Sequence, residues 1–219
     1  MFYKFVGGDD TALLDLSDKA VVNGSLKFAR ALSFNDPFEF KFVSHAPTSR
    51  DQFDSWHATH EPHHTAEELS NAWESFSDLA ADWNTRLEPR RKILEQFYVL
   101  CLAQRWESHL MWGHYSTSHH GFSIRYKPEI IETLKAFPKY VGDGAVAYSD
   151  KVPDFHWFTA PPSELIGPIL FTKSNEWQYE AEHRVILSDD AKEPALYPSI
   201  DPALISGVIF GHSIAVRTH

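Results

Sequence analysis

The sequence predicts an α+β fold organised as a single domain over residues 1–219. Strand-like and helix-like segments are mixed without the regular β-α-β alternation of a doubly wound sheet. Hydrophobic residues make up 43% of the chain, which supplies enough apolar surface for one sizeable core. That fraction includes 16 Phe, 8 Tyr and 7 Trp residues, whose large side chains dominate burial. We therefore expect a central, mostly antiparallel or mixed sheet with helices packed on it.

The first half of the chain begins with short elements. The apolar patterns predict a strand over Phe2–Val6, a helix near Asp10–Leu16 and a strand near Leu26–Ala29. Residues 45–65 are polar and irregular, which predicts a long surface loop. A helix should follow, because Thr65 and Glu68 fit a capping box and apolar residues then recur at helical spacing as far as Trp83.

The second half of the chain is divided by glycines and prolines into alternating short segments. Pro128 suits a helix start, and Pro138 ends the same segment. The further predicted helices are Ser108–Tyr115 and Pro161–Leu170, and the predicted strands are Tyr98–Ala103, Phe122–Tyr126, Ala145–Tyr148, Glu182–Leu187 and Leu204–Phe210.

Charge and hydropathy exclude some classes of function. The net charge of -10 argues against a broad nucleic-acid-binding face, since such faces depend on Lys and Arg. The apolar runs fall short of the roughly 20 residues that cross a bilayer, so no membrane partner is expected. The chain enters a strand pattern directly after Met1 without a basic leader, which predicts a cytoplasmic protein. The single Cys101 lies in an apolar run and is expected to be a buried structural thiol.

Four segments carry a resemblance to a known family. They resemble the bacterial and phage domain-of-unknown-function family 2971, and together they span most of the chain. The segments are Tyr3-Lys4-Phe5, Phe34-Asn35-Asp36-Pro37-Phe38-Glu39, Met111-Trp112-Gly113-His114-Tyr115 with His120-Gly121, and Trp177-Gln178-Tyr179-Glu180-Ala181-Glu182-His183-Arg184.

A second resemblance is to ADP-ribosyltransferases. Tyr3-Lys4 is similar to their early strand motif, Tyr115-Ser116-Thr117-Ser118 to their central motif, and Glu180-Ala181-Glu182 to their late motif. The order implies an ADP-ribosyltransferase-like fold and an NAD-dependent enzyme of the toxin or phage-conflict type, with NAD as substrate. One departure is Lys4, which stands where that family usually has Arg or His and offers a point charge instead of a planar fork.

The same resemblance implies roles for individual residues. Glu182 would stabilise an oxocarbenium-like ribose, Glu180 would orient or deprotonate the acceptor, and Tyr115 would stack on nicotinamide as a third catalytic residue. Ser116 is expected to brace Glu182. An extended segment would place Glu180, Glu182 and Arg184 on one face of the strand. The implied cofactor-binding residues are Tyr3, Lys4, Asn35, Asp36, His114, Ser116, His120 and Arg184.

Structural interpretations of the same residues stay open. A Glu-x-Glu-x-Arg pattern is also typical of a solvated strand with surface ion pairs. Asn35, Asp36 and Pro37 are typical of a tight turn, and Trp112 is typical of a core side chain.

Two other functions are therefore retained as alternatives. The first is a noncatalytic domain that binds a small-molecule nucleotide or a partner. The second is a metal-assisted hydrolase or nuclease that uses histidines such as His57, His60, His63 and His64. No metal is expected, because this spacing matches none of the standard zinc patterns and Pro62 interrupts a helix. The acceptor of any transferred group is not specified by the sequence.

Overall fold

The computed structural model describes residues 1–34, 36–45, 49–60, 62–80, 91, 94–156 and 162–213. Its helices are α1 (Asp10–Ser17), α2 (Arg50–His60), α3 (Ala66–Ala80), α4 (His109–Tyr115), α5 (Ile130–Lys135) and α6 (Pro162–Phe171). Its strands are β1 (Phe2–Val6), β2 (Phe28–Arg30), β3 (Val43–His45), β4 (Phe97–Ala103), β5 (Phe122–Tyr126), β6 (Tyr140–Ala145), β7 (Ala147–Tyr148), β8 (Asp154–His156), β9 (Thr172–Lys173), β10 (Glu182–Ser188), β11 (Ala195–Leu196) and β12 (Ile205–Phe210). The α+β prediction is confirmed.

The described residues form two compact units. The first takes residues from Met1–Phe34, Glu95–Tyr148 and the segment that begins at Asn175. The second takes residues between 35 and 94 and those of Ser149–Ser174. The one-domain organisation stays a prediction.

The first unit contains an eight-stranded antiparallel sheet. Along one path the strand order is β11-β2-β4-β1-β5-β12, and β10 lies between β4 and β6. Strand β4 is the centre of this arrangement, because it pairs with β10 over seven positions and also with β1 and β2. The early strand β1 and the late strand β10 therefore both border β4.

Each face of this sheet carries its own apolar core. On one face, Leu100, Ile124 and Val185 pack with Ile130 and Leu134 of α5, and all five are fully buried. On the opposite face, residues of β1 and β4 pack with Met111 and Trp112 of α4. Because side chains alternate along a strand, α4 covers the face that carries Tyr3, Ala103 and their neighbours at every second position.

The second unit contains α2, α3 and a short parallel pairing of β3 with β8. Phe53 of α2 is buried and meets the Trp73 ring edge-on, with centroids 5.3 Å apart. Glu39 and Lys173 are also buried in this unit, with Lys173 Nζ 3.9 Å from Glu39 Oε1. A buried charged pair of this kind is tolerated when other groups complete its hydrogen bonds.

The predicted capping box is confirmed. The Glu68 carboxylate accepts from the Thr65 backbone N–H at 2.7 Å, and the Glu68 N–H donates to the Thr65 hydroxyl at 3.2 Å. These bonds satisfy N–H groups that the first turn of α3 would leave unpaired. Helix α3 is described as far as Ala80, and the predicted end at Trp83 lies outside the described residues.

The prediction of a long loop over residues 45–65 is wrong, because Arg50–His60 forms helix α2. Phe53 and His57 are one turn apart and both are buried, which gives the helix a narrow buried stripe among exposed polar residues. Arg50 and Asp54 add an i,i+4 pair on the exposed side, with Nε 2.7 Å from Oδ1. Two buried positions are too few to produce an apolar periodicity in the sequence, so the pattern does not predict this helix.

One strand boundary in the first unit also differs from the prediction. The strand expected to begin at Ala145 begins at Tyr140 instead, because β6 pairs with β10 through Gly142 and Gly144. Glycine weakens strand propensity, so pairing with β10 and not local propensity sets where β6 begins.

Among the described residues, no helix has the length and apolar character that crossing a bilayer requires.

Candidate functional site

Glu182 and Arg184 form a buried ion pair at the start of β10. They are two residues apart and so share one face of the strand, as predicted. The Glu182 carboxylate accepts from Arg184 Nε at 2.8 Å and from Arg184 Nη2 at 3.2 Å, which is a bidentate arrangement. Glu182 is 3% exposed and Arg184 is fully buried, so this pair does not lie on a solvated face.

Neighbouring groups fix the pair in place. The Glu182 backbone N–H donates to the Tyr148 hydroxyl at 2.8 Å. The Arg184 guanidinium carbon lies 6.0 Å from the centre of the Phe34 ring, which is within cation–π range. The backbone of Glu182 and the guanidinium of Arg184 are therefore each held by a contact from another element, as a preorganised polar site requires.

Cys101 lies directly opposite Arg184 in the β4–β10 register. Although its overall exposure is intermediate, the loss of solvent around the thiol raises its pKa well above the usual range, and the Glu182 carboxylate raises it further. The positive charges of Arg184 and Lys4 act in the opposite direction. The thiol stays protonated and is a poor nucleophile.

Lys4 reaches the same strand from β1. Only Tyr3 of β1 pairs with β4, opposite Ala103, so the two strands separate beyond that point. The Lys4 ammonium donates to the Cys101 carbonyl at 3.0 Å and thereby satisfies a backbone acceptor where the strands separate. Lys4 lies opposite Ile124, which belongs to the core on the other face of the sheet, so its bond is to the backbone of β4 and not to Glu182.

Tyr115 and Glu180 form the second polar pair of the site. The Tyr115 hydroxyl donates to Glu180 Oε1 at 2.5 Å. Tyr115 is 40% exposed, whereas Glu180 is 3% exposed. Burial, followed by the Glu180 charge, raises the pKa of Tyr115 far above its usual value, and the Glu182 charge contributes in the same direction. The phenol therefore stays protonated and keeps its role as a donor to the carboxylate.

Glu180 does not lie on the strand, contrary to the prediction that it would share the extended face of Glu182. It ends a 3-10 turn over Asn175–Glu180, and Ala181 then adopts a left-handed backbone with φ of 44°. This conformation is unfavourable for a residue with a Cβ atom. The turn brings the Glu180 carboxylate to α4 and its Tyr115, while Glu182 begins the strand.

An aromatic group lies beside the Tyr115–Glu180 pair. The His114 and Tyr179 rings are nearly parallel, with centroids 6.0 Å apart, and Trp177 lies 5.9 Å from Tyr179. The centroids of His114 and Trp177 are 6.3 Å apart. Partly exposed rings next to a fixed carboxylate suit the binding of a planar heteroaromatic ligand.

Ser116 and His120 occupy the segment that follows α4. Ser116 is fully buried, and its hydroxyl donates to the Trp112 carbonyl at 2.5 Å at the C-terminal end of α4. The prediction that Ser116 braces Glu182 is therefore wrong. His120 is exposed, and its Nδ1 lies 3.0 Å from the Thr117 carbonyl. Neither side chain contacts the two carboxylates in this arrangement.

The remaining predicted residues lie in different places. Tyr3 is 9% exposed and packs in the core on the α4 face of the sheet. Asp36 belongs to the second unit, where its Oδ1 accepts from the Phe38 N–H at 2.9 Å, as the turn interpretation expects. Asn35 lies outside the described residues. Trp112 is 6% exposed, which confirms its interpretation as a core side chain.

Sequence reasoning did not find four of the groups around the carboxylates. The sequence indicates only a core thiol at Cys101 and no role for Tyr148, Trp177 or Tyr179. Cross-strand register places Cys101 opposite Arg184, and a single sequence does not report register. Trp177 and Tyr179 carried a usable signal, because two aromatic residues within the four that precede Glu180 are more than a solvated turn needs.

The described residues contain no group of three or more His, Cys, Asp or Glu side chains that is arranged to hold a metal ion. In α2, the His57 and His60 rings instead interact with Trp56, and His60 stacks on it with centroids 4.7 Å apart. Their Nδ1 atoms each lie 3.0 Å from a backbone carbonyl one turn earlier. These two histidines are thus engaged within their own helix.

Comparison with protein families identifies one relationship. Residues 111–185 match a family model described as "Protein of unknown function (DUF2971)". The chain resembles DUF2971 over this segment. The DUF2971 match begins at Met111 in α4 and ends at Val185 in β10, so it includes Tyr115, both carboxylates and Arg184. A search of curated proteins and a search of solved structures each gave no match.

Proposed function

We propose that the chain is an NAD-dependent, ADP-ribosyltransferase-like enzyme that acts at the Tyr115, Glu180 and Glu182 site. The observation that supports this most is the convergence of three distant segments. Lys4 donates to the backbone of β4, the side chain of Cys101 in β4 lies near Glu182, and the Tyr115 phenol donates to Glu180. These residues come from the early, central and late segments of the chain and lie in the same compact unit.

The geometry supports a division of labour between the two carboxylates. In ADP-ribosyl transfer, the bond between nicotinamide and ribose breaks, its electron pair leaves with nicotinamide, and the ribose becomes positively charged. A fixed carboxylate lowers the energy of that charge. Glu182 is fixed by Arg184 and Tyr148, which suits this role.

Glu180 suits the second step, in which an acceptor attacks the ribose and loses a proton. Its carboxylate lies beside a partly exposed phenol, so an acceptor approaching over Tyr115 meets a proton-accepting oxygen. The adjacent rings of His114 and Tyr179 offer planar surfaces to a nucleotide substrate.

Release of free nicotinamide from NAD tests this proposal. The purified chain should release nicotinamide, and Glu182→Gln, which keeps the shape of the side chain and removes its charge, should abolish the release. Glu193→Gln is the matched control, because Glu193 is an exposed glutamate whose backbone carbonyl accepts from the Tyr98 hydroxyl and not from a residue of the site. Since Glu182→Gln also disturbs a buried pair, each variant must give the parent circular dichroism spectrum.

Glu180→Gln and Tyr115→Phe give an independent check that leaves the Arg184 pair intact. Both should lower the rate of release while the chain stays folded. Absence of release from the parent under all acceptor conditions, or equal release from folded Glu182→Gln, would overturn the assignment of an NAD-consuming activity.

A second candidate is a noncatalytic domain that binds a nucleotide. It is favoured by one observation: both carboxylate oxygens of Glu182 already accept from Arg184, so much of the negative charge is neutralised. This candidate expects NAD or ADP to raise the thermal midpoint of the chain by mass action without nicotinamide release. Turnover that depends on Glu182 would exclude it.

A further inference from the structure

Four histidines lie around helix α4 and the turn that follows it. His119 lies at the centre of this histidine cluster, which comprises His109, His119, His120 and His212. The His119 ring centroid is 4.8 Å from that of His212 and 6.1 Å from that of His109. These rings belong to three separate segments, so the fold brings them together.

The segment that carries His119 is held in an unusual backbone conformation. Thr117, Ser118 and His119 are consecutive left-handed residues, with φ of 50°, 52° and 69°. Each non-glycine residue in this region costs free energy, so a run of three persists only when the surroundings enforce it. The Ser213 N–H donates to the His119 carbonyl at 3.1 Å, and the Gly211 N–H donates to the Gly121 carbonyl at 2.9 Å.

Glycine is required on both sides of the turn that carries His119, at Gly121 and at Gly211. A Cβ atom at Gly211 would overlap the His119 carbonyl oxygen, and a Cβ atom at Gly121 would overlap the Val6 carbonyl oxygen. Trp112 supports the cluster from below, because the His119 ring is stacked on it at 6.3 Å with an interplanar angle of 11°. The position of His119 is therefore fixed by its contact with the core residue Trp112.

The groups around His119 all disfavour its protonated form. Partial burial lowers its pKa first, followed by the charges of His212, His109 and His120. Within the described part of the chain, none of these four rings has a carboxylate partner. Protonation of the cluster therefore places like charges close together, and a bound anion would relieve that repulsion.

Side chains, and not the backbone, supply the available donors. The N–H groups of Ser118, His119 and His120 donate to the carbonyls of Gly113, Trp112 and Thr117, respectively. These bonds rule out a backbone nest as the binding element, although such nests are a common anion site. Imidazolium rings donate from both nitrogens and are suited to oxyanions. His120 Nδ1 already lies 3.0 Å from the Thr117 carbonyl and His212 Nε2 lies 3.1 Å from the Ser213 hydroxyl, so the donors left for an anion are on His109, on His119 and on the second nitrogen of the other two rings. A metal ion is disfavoured, since no described group of three such side chains has the arrangement it needs.

We propose that the histidine cluster is a binding site for a phosphate-class oxyanion and takes up protons as the anion binds. The proposal is independent of NAD cleavage, because it rests on a different set of residues. Phosphate can come as a free ion or as part of a nucleotide, and both present the same tetrahedral, doubly charged group.

Histidine ring resonances followed by NMR test the proposal in the full chain. The titration is repeated with inorganic phosphate, inorganic pyrophosphate and AMP, at constant ionic strength set with sodium chloride. Binding should raise the His119 pKa by about 0.5 or more, because a nearby negative charge favours the protonated ring. His63, which is exposed in the second unit, should not respond.

Variants separate a specific site from general screening. His119→Asn and His212→Asn should lose the response of the remaining cluster rings, whereas His63→Asn should retain it. A response to AMP alone would identify a nucleotide phosphate, and a response to the inorganic ions as well would identify a general oxyanion site. The proposal is overturned if none of the three probes shifts the cluster beyond His63, or if chloride produces the same shift.

Discussion

Loss of the Arg184 guanidinium should be the most damaging single change to stability in this site. Arg184 is fully buried and donates to both oxygens of Glu182, which is 3% exposed. In Arg184→Met, a similar volume is kept but the buried carboxylate loses its guanidinium partner. Breaking one side of a buried ion pair costs about 3–5 kcal/mol. Since whole domains are stable by about 5–15 kcal/mol, this is a large fraction of the total.

Urea unfolding followed by tryptophan fluorescence measures the loss. The double variant Glu182→Gln with Arg184→Met should recover part of the stability, because it removes both charges and leaves neither unpaired. Lys19→Met is the control, since its pair with Asp15 lies on the surface with Nζ 2.7 Å from Oδ2, and its midpoint should match the parent. A loss below about 1 kcal/mol in Arg184→Met, with additive single and double variants, would refute a buried, coupled pair.

Three further predictions follow from local geometry. Gly121→Ala should destabilise the chain by about 1–3 kcal/mol, because the added Cβ atom overlaps Val6. Gly113→Ala should stabilise the chain by up to about 1 kcal/mol, because its Cβ position in α4 faces open space. Equal urea midpoints for the two variants would contradict this. The His119 pKa is lowered in the folded chain, so the unfolded chain binds this proton more readily, and stability should fall as pH decreases below about 6.5. His119→Asn should flatten that dependence in urea midpoints measured at pH 7.5 and 5.5, and an unchanged slope would assign it elsewhere. Tyr115→Phe should cost about 1 kcal/mol through loss of the bond to Glu180, and an unchanged thermal midpoint would argue against that bond.

Local signals in the sequence were sufficient for several elements. The capping box at Thr65 and Glu68 depends on residues three apart, so the sequence contains the whole interaction. The shared face of Glu182 and Arg184 follows from the two-residue period of a strand. Strand β1 was predicted with its observed bounds, because alternation over Phe2–Val6 is visible without knowledge of its partners.

Nonlocal contacts account for what the sequence did not reveal. The left-handed Ala181 separates Glu180 from the strand, and nothing in an alanine indicates such a backbone. Cys101 acquires its charged neighbours through register with β10 and through Lys4 of β1. The histidine cluster combines residues more than 90 positions apart, so His119 and His212 gave no joint pattern.

The measurement that tests the central claim most directly is proton NMR of NAD in the presence of the purified chain. Nicotinamide ring signals report cleavage through the appearance of free nicotinamide, and they report binding through broadening without new signals. An active Glu180 and Glu182 site predicts new nicotinamide signals from the parent chain and none from folded Glu182→Gln. Unchanged, sharp NAD signals with a folded parent chain would contradict both an NAD-consuming enzyme and an NAD-binding site.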